Sequence, residues 1–240
     1  MRALYAFEKD KLLRSGRLII PLLLFISYIG IAYAIGPLAI LSSFSLCALV
    51  VFILSLSIGV MAADLRYPMI EQAMLVKLPR RHLFFLSRAV LMAALALMFA
   101  LVAVFAPLLI HVCSGSALFK RPVALADVLS GLALFWLASY SGGLAGLFAS
   151  PRLIRGRRTS LLLGAAFGVL TVVKGALVEK AAFLAWVLWV LPPVHDLTVA
   201  YSADGYFQLG MVWPYFLWMA AYAAIGTAAY VWIMTKRRFE

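Results

Sequence analysis

Polar residues in this chain are confined to a few short islands, and the apolar stretches between them are too long for the helices of a soluble domain. From Leu18 to Ala63 run 46 residues without Asp, Glu, Lys, Arg or His. As one α-helix that run would be ~69 Å long against a bilayer hydrocarbon core of ~30 Å. Two helices are therefore expected, separated by the breaker signals Gly36-Pro37 and Ser42-Ser43. The predicted spans are 18–36 and 41–63, and further uncharged blocks predict spans at 89–111, 128–150, 159–178 and 212–234. The expected fold class is all-α: a polytopic membrane protein, one transmembrane domain of six helices over residues 1–240. Pro107 is expected to kink span three.

The islands then fix the organisation. Residues 1–17, MRALYAFEKDKLLRSGR, read as an amphipathic interfacial helix with Lys9, Lys11, Arg14 and Arg17. No small-residue cleavage site with a soluble domain behind it follows, so a retained span is expected next. Composition agrees: 66% of residues are hydrophobic, 12% charged, and mean hydropathy is +1.05, about half the charge of an ordinary soluble domain.

A net charge of +12 would suggest nucleic acid in a soluble protein, but no groove-reading motif accompanies it. The basic residues instead gather in alternate islands. Arg2, Lys9, Lys11, Arg14 and Arg17 precede span one, and Arg66, Lys77, Arg80, Arg81 and Arg88 lie between spans two and three. Arg152, Arg155, Arg157 and Arg158 lie between spans four and five, and Lys236, Arg237 and Arg238 follow span six. Only Lys120, Arg121, Lys174 and Lys180 remain for the other face. The positive-inside rule makes the basic face cytosolic, with both termini on it.

On the opposite face, residues 181–196 hold an apolar run that is short for a crossing and suits a re-entrant or interfacial segment. Trp186 and Trp189 are i,i+3 neighbours able to share one face, and Pro192 with Pro193 stops the run. His195 and Asp196 admit three readings: a base with its orienting carboxylate, a polar stop, or a lining of a cargo path and external gate. Lys174 either snorkels from span five or lines that path, where it would favour anionic groups. Cys47 and Cys113 read as small core residues, with no metal-ligand spacing, and His111 and Asp127 as solvated span ends. Ala138, Gly142 and Gly146, spaced by four, allow close helix approach within the chain or between subunits.

No catalytic, metal or nucleotide motif is legible. No glycine is followed by lysine, which excludes a P-loop, and H-E-x-x-H and G-x-S-x-G are also missing. Energy for any transport would come from a gradient or from another polypeptide.

One island carries more pattern than the others. Between 64 and 88, RYPMIEQAMLVKLPRRH places Glu71, Gln72, Leu75 and Pro79 on one helical face, with Ile70, Ala73, Met74 and Lys77 turned away. A polar face centred on a leucine suits docking into a protein groove, and the plainer reading is a connector resting on headgroups. Arg80, Arg81 and Arg88 would hold the start of span three at the anionic inner leaflet.

The order of parts resembles the membrane subunit of type-2 ABC exporters, through FEKDKLLRSGR, IEQAMLVKLPRRHLFFLSRAV and WVLWVLPPVHDLTVAYS. The resemblance implies a coupling helix that seats in a cytosolic ABC ATPase, with Glu71, Gln72, Leu75, Lys77, Pro79, Arg80 and Arg81 in that place. It implies two permease chains, a homodimer, with two ATPase chains that bind ATP and Mg; this chain would hold no cofactor and catalyse nothing. The large external domain of longer members is missing. Uncharged spans suit a hydrophobic or amphipathic cargo, with amphipathic peptides of the phenol-soluble-modulin or antimicrobial type favoured over drugs, lipids or ions. A gradient-driven carrier, an intramembrane enzyme and a non-transporting membrane scaffold are the alternatives from other classes.

Overall fold

The structure is a computed structural model that describes residues 2–64, 82–115, 118–149, 154, 156–181, 183, 186, 188–202 and 207–236. Its elements are all helical: α1 (Arg2–Arg14), α2 (Ile19–Ala32), α3 (Ile40–Asp64), α4 (His82–Cys113), α5 (Leu125–Phe148), α6 (Arg157–Lys180), α7 (Val194–Ser202) and α8 (Leu209–Lys236). Helices α3, α4, α5, α6 and α8 are each long and apolar enough to cross a membrane. A sixth candidate arises if α1 and α2, bent by 71° at residues 15–18, count together.

The core is the packing of α3 against α5, with α4 laid along α5. Small residues allow it. A Cβ on Gly142 would collide with the Phe52 carbonyl, one on Gly146 with the Leu56 carbonyl, and one on Gly59 with the Gly143 carbonyl. Backbone thus lies on backbone, the close approach that small-residue spacing permits between helices in lipid. The Gly142 and Gly146 face therefore packs within the chain. Ser55 and Ser139 complete the seam with a 2.5 Å hydrogen bond, and Phe44 and Phe135 flank it with ring centroids 5.3 Å apart.

Contacts between helix ends set the two ends of the bundle. At one end Arg17 donates to the Met61 carbonyl, the Ser160 hydroxyl donates to the Ala149 carbonyl, and Tyr230 meets Phe85 and Phe148 edge-on. At the other, backbone N–H groups of Leu38 and Lys120 bond the carbonyls of Leu118 and Leu38, and Ser130 bonds Tyr201. Successive long helices alternate in direction, and the described basic residues of α1, Arg88, α6's first turn and Lys236 share the first end.

Several boundaries differ from the sequence reading. Span 18–36 is a 14-residue helix ending at Ala32, ~21 Å long and short of a full crossing. The chain leaves the helix ahead of Gly36-Pro37, since a residue before proline is disfavoured in the α region. The expected third span, 89–111, lies within a longer helix that starts at His82. Arg88 does not interrupt the helix because its charge is neutralised inside the protein, so it is buried against α1 and not at the lipid headgroups. Pro107 lies inside α4 and is buried.

Polar span ends are likewise less solvated than expected. Asp127 is buried, accepting a two-pronged pair from Arg121 at 2.7 and 2.8 Å and the Ala124 N–H at 3.0 Å. It thereby closes the α5 N-terminus, where a carboxylate also meets the positive end of the helix dipole. His111 is buried with its ring 5.0 Å from Phe119. Of the cysteines, Cys47 is a core residue as expected, whereas Cys113, in the last turn of α4, is exposed.

Candidate functional site

The polar residues singled out on the far side of the sequence converge at the junction of α6 and α7. Val194 begins a helix that the sequence reading treated as the end of an apolar run. Pro193 allows this start, because proline fits ahead of the first helical turn where its missing N–H is not needed, and its carbonyl accepts the Leu197 N–H. Helix α7 then packs against α3, α6 and α8. The Ser45 hydroxyl of α3 donates to the Thr198 carbonyl at 3.0 Å, and Tyr201 bonds Ser130 of α5 at 3.0 Å. Burial pushes the Tyr201 phenol above its ordinary pKa, so it remains a neutral hydrogen-bonding group.

Lys174 does not snorkel outward. Its ammonium donates to Asp196 Oδ2 at 2.6 Å, with the lysine side chain 12% exposed and the aspartate 39%. His195 turns towards α6, where a Cβ on Gly175 would overlap the imidazole, so the glycine makes room for the ring. Lys174, Gly175, His195 and Asp196 thus form one polar contact between two helices. Asp196 Oδ2 is engaged by Lys174. Chemically, the site is a neutralised pair whose ammonium an anionic group could compete for.

The two members are not equivalent. Removing one partner of a buried pair strands the other, and the cost follows how dry the stranded charge is. Asp196→Asn leaves the nearly enclosed ammonium and is expected to cost about 2 kcal/mol, whereas Lys174→Met leaves a carboxylate that reaches solvent and should cost under about 1 kcal/mol. Thermal unfolding of the detergent-solubilised variants reads this asymmetry, and equal or reversed losses would contradict the geometry.

The stretch before α7 leans on α8. Trp189 stacks at 5.4 Å on Trp218, and Tyr222 donates to the Val190 carbonyl at 3.1 Å. Trp186 and Trp189 are both exposed, and Pro192 is buried. Trp218 and Tyr222 lie near the middle of the 28-residue α8, so the turn at 189–191 sits at mid-height of the bundle.

The second polar contact lies at the basic end and had no signal in the sequence. Glu8 of α1 accepts from Arg88 Nε at 3.2 Å and Nη2 at 3.1 Å, with side chains 6% and 8% exposed. The guanidinium also lies 4.8 Å over the Phe84 ring. Of the basic residues of α1 and its exit, Arg17 caps the end of α3, Lys9 approaches Asp10 at 4.0 Å near solvent, and Lys11 and Arg14 occupy the last turn. Glu71, Gln72, Leu75, Lys77, Pro79, Arg80 and Arg81 lie outside the described residues. No protein-family model matches the chain, and no curated protein or solved structure matches it.

Proposed function

We propose that this chain is the permease subunit of an ATP-driven exporter in a bacterial plasma membrane, moving hydrophobic or amphipathic cargo, best of all amphipathic peptides, outward. It works as a homodimer on two cytosolic ABC ATPase chains that bind ATP and Mg. The observation that carries this reading is the ion pair between Glu8 and Arg88. It ties α1, the helix expected to lie at the membrane surface, to the first turns of α4, directly after the segment 71–81 offered for docking. A push delivered through that segment would reach α1 and α4 together. The turn at 189–191, held at mid-height on α8 and followed by α7, supports a re-entrant segment on the external side, with Lys174, His195 and Asp196 beside the cargo path.

The test is purification of the tagged chain from its native membrane. An ATPase subunit is expected to accompany it. Glu71→Lys and Leu75→Asp should each lower ATP-dependent transport by about tenfold or more, the effect of reversing a central contact in a docking surface. Failure of any ATPase to associate, or normal transport by both variants, would end this reading.

The Lys174–Asp196 pair favours one alternative, a gradient-driven carrier, since paired ionisable groups among membrane helices mark ion and proton paths. Transport that is abolished by an ionophore and indifferent to ATP depletion would select it.

A further inference from the structure

The Lys174–Asp196 contact is unequal in a way that favours exchange of one partner. The ammonium bonds a single carboxylate oxygen, Oδ2, at 2.6 Å, and the lysine side chain is 12% exposed against 39% for the aspartate. Asp196 can therefore turn to solvent and regain its hydration, whereas the ammonium, once released, is left dry. It is stable there only with another anion in the aspartate's place. Few charges compete for it. Of the helices that α7 packs against, α3 holds one charged residue, Asp64, and α8 one, Lys236, each the last residue of its helix at the basic end. In α6 the next acid is Glu179, exposed and five residues on, a spacing that does not share a helical face.

The surroundings decide what kind of molecule brings that anion. Phe167 lies seven residues before Lys174, two helical turns and ~10 Å along the same side of α6. With Leu163, Val190 and Tyr222 it lines an apolar cleft of about 370 Å³ between α6 and α8, and Asp196 follows Val190 by six residues. A small free anion would give up its water for these apolar surroundings. An anion carried at the end of an apolar body gives up only the hydration of its head. We propose that Lys174 recognises the C-terminal carboxylate of an amphipathic peptide, which exchanges with Asp196 while the peptide's apolar residues lie along the Leu163 and Phe167 side of α6. An amidated or cationic end cannot make this exchange, because it would leave the ammonium without an anion. The inference rests on the reading of the chain as a peptide exporter and names the feature of the cargo that is recognised.

The full-length chain in phosphatidylcholine nanodiscs is titrated with a fluorescent amphipathic peptide of leucine and glutamine, made once with a free C-terminal carboxylate and once as its amide. Fluorescence anisotropy reads binding above the partition into empty discs. The acid should bind about tenfold more tightly than the amide, the scale of one charge-assisted bond to a poorly hydrated ammonium. Lys174→Met should bring the acid down to the amide's affinity and leave the amide unchanged. Asp196→Asn removes the competitor and should tighten binding of the acid alone, by about fivefold. A purely structural ion pair would not produce that gain. Equal affinity of the parent for the two peptides, a preference that survives Lys174→Met, or an Asp196→Asn chain that binds the acid no more tightly than the parent overturns the proposal. No ATP or ATPase enters the measurement. An ATPase that copurifies with a chain blind to the carboxylate sinks only the recognition of cargo, and a chain that prefers the acid but recruits no ATPase sinks only ATP-driven export.

Discussion

Replacing Gly146 by leucine is expected to destroy the bundle rather than adjust it. A Cβ at this position falls on the Leu56 carbonyl and within 2.8 Å of Gly59 Cα. Both obstacles are backbone, so no rotamer change relieves them. Helices α3 and α5 must separate, and the separation also pulls apart the Ser55–Ser139 hydrogen bond and the Phe44–Phe135 contact. Overpacking in a core costs about 1–3 kcal/mol when side chains can yield; here they cannot, so at least about 3 kcal/mol is expected. That is a large part of the usual 5–15 kcal/mol of total stability. Thermal unfolding and the yield of monodisperse protein measure it. Gly30→Ala is the control: nothing lies within 4 Å of its Cβ, and it should be neutral or slightly stabilising. A Gly146→Leu protein within about 1 kcal/mol of the parent would mean that α3 and α5 are not in backbone contact.

This seam divides the molecule mechanically. The apolar windows of α3 and α5 are 61% and 56% buried, those of α6 and α8 only 17% each. Dispersion contacts and backbone proximity hold the first pair, and tight packing has discrete arrangements rather than a soft continuum. Helix α6 is attached more sparsely, by the Lys174–Asp196 pair at one end and the Ser160–Ala149 bond at the other. Elements with few buried contacts open at lower free energy than a packed core. A transport cycle would accordingly find its moving parts in α6 and α8 and its fixed frame in α3 and α5.

How much of this was legible follows from the length scale of each interaction. Five of the six predicted spans were legible as long apolar helices because the bilayer imposes a minimum apolar length, and the glycine seam because a four-residue period puts Ala138, Gly142 and Gly146 on one face whatever the partner. The partner face on α3 carries the same signal, since Ser55, Gly59 and Ala63 are also small and spaced by four, but the spacing alone does not say that these two faces meet each other. Lys174, His195 and Asp196 were each marked as unusual, yet their meeting depends on how the turn at 189–191 folds back. Arg121 and Asp127 are six apart, a separation that no helical period pairs. Glu8 and Arg88 stand 80 residues apart, and each alone looked like a surface charge flanking a span.

That last pair gives the second large effect. Glu8→Gln keeps the side chain's shape and removes its charge, leaving the Arg88 guanidinium enclosed with Phe84 beneath it. Both side chains of the pair are under a tenth exposed, so solvent cannot take over the lost contact, and a stranded buried charge costs about 3–5 kcal/mol. Arg88→Leu alone strands a carboxylate in the same place and should cost a similar amount. Combining Glu8→Leu with Arg88→Leu removes both charges, and because an apolar replacement of a buried pair is often neutral, the double variant should recover to within about 1–2 kcal/mol of the parent. A double-mutant cycle on unfolding free energies therefore separates the cases. Strongly non-additive losses place the pair in a dry contact between α1 and α4, and additive losses would mean that the two residues do not meet. If the pair also transmits motion, the double variant will fold and still transport poorly, because an apolar contact that can slide replaces a two-bond polar link of fixed geometry.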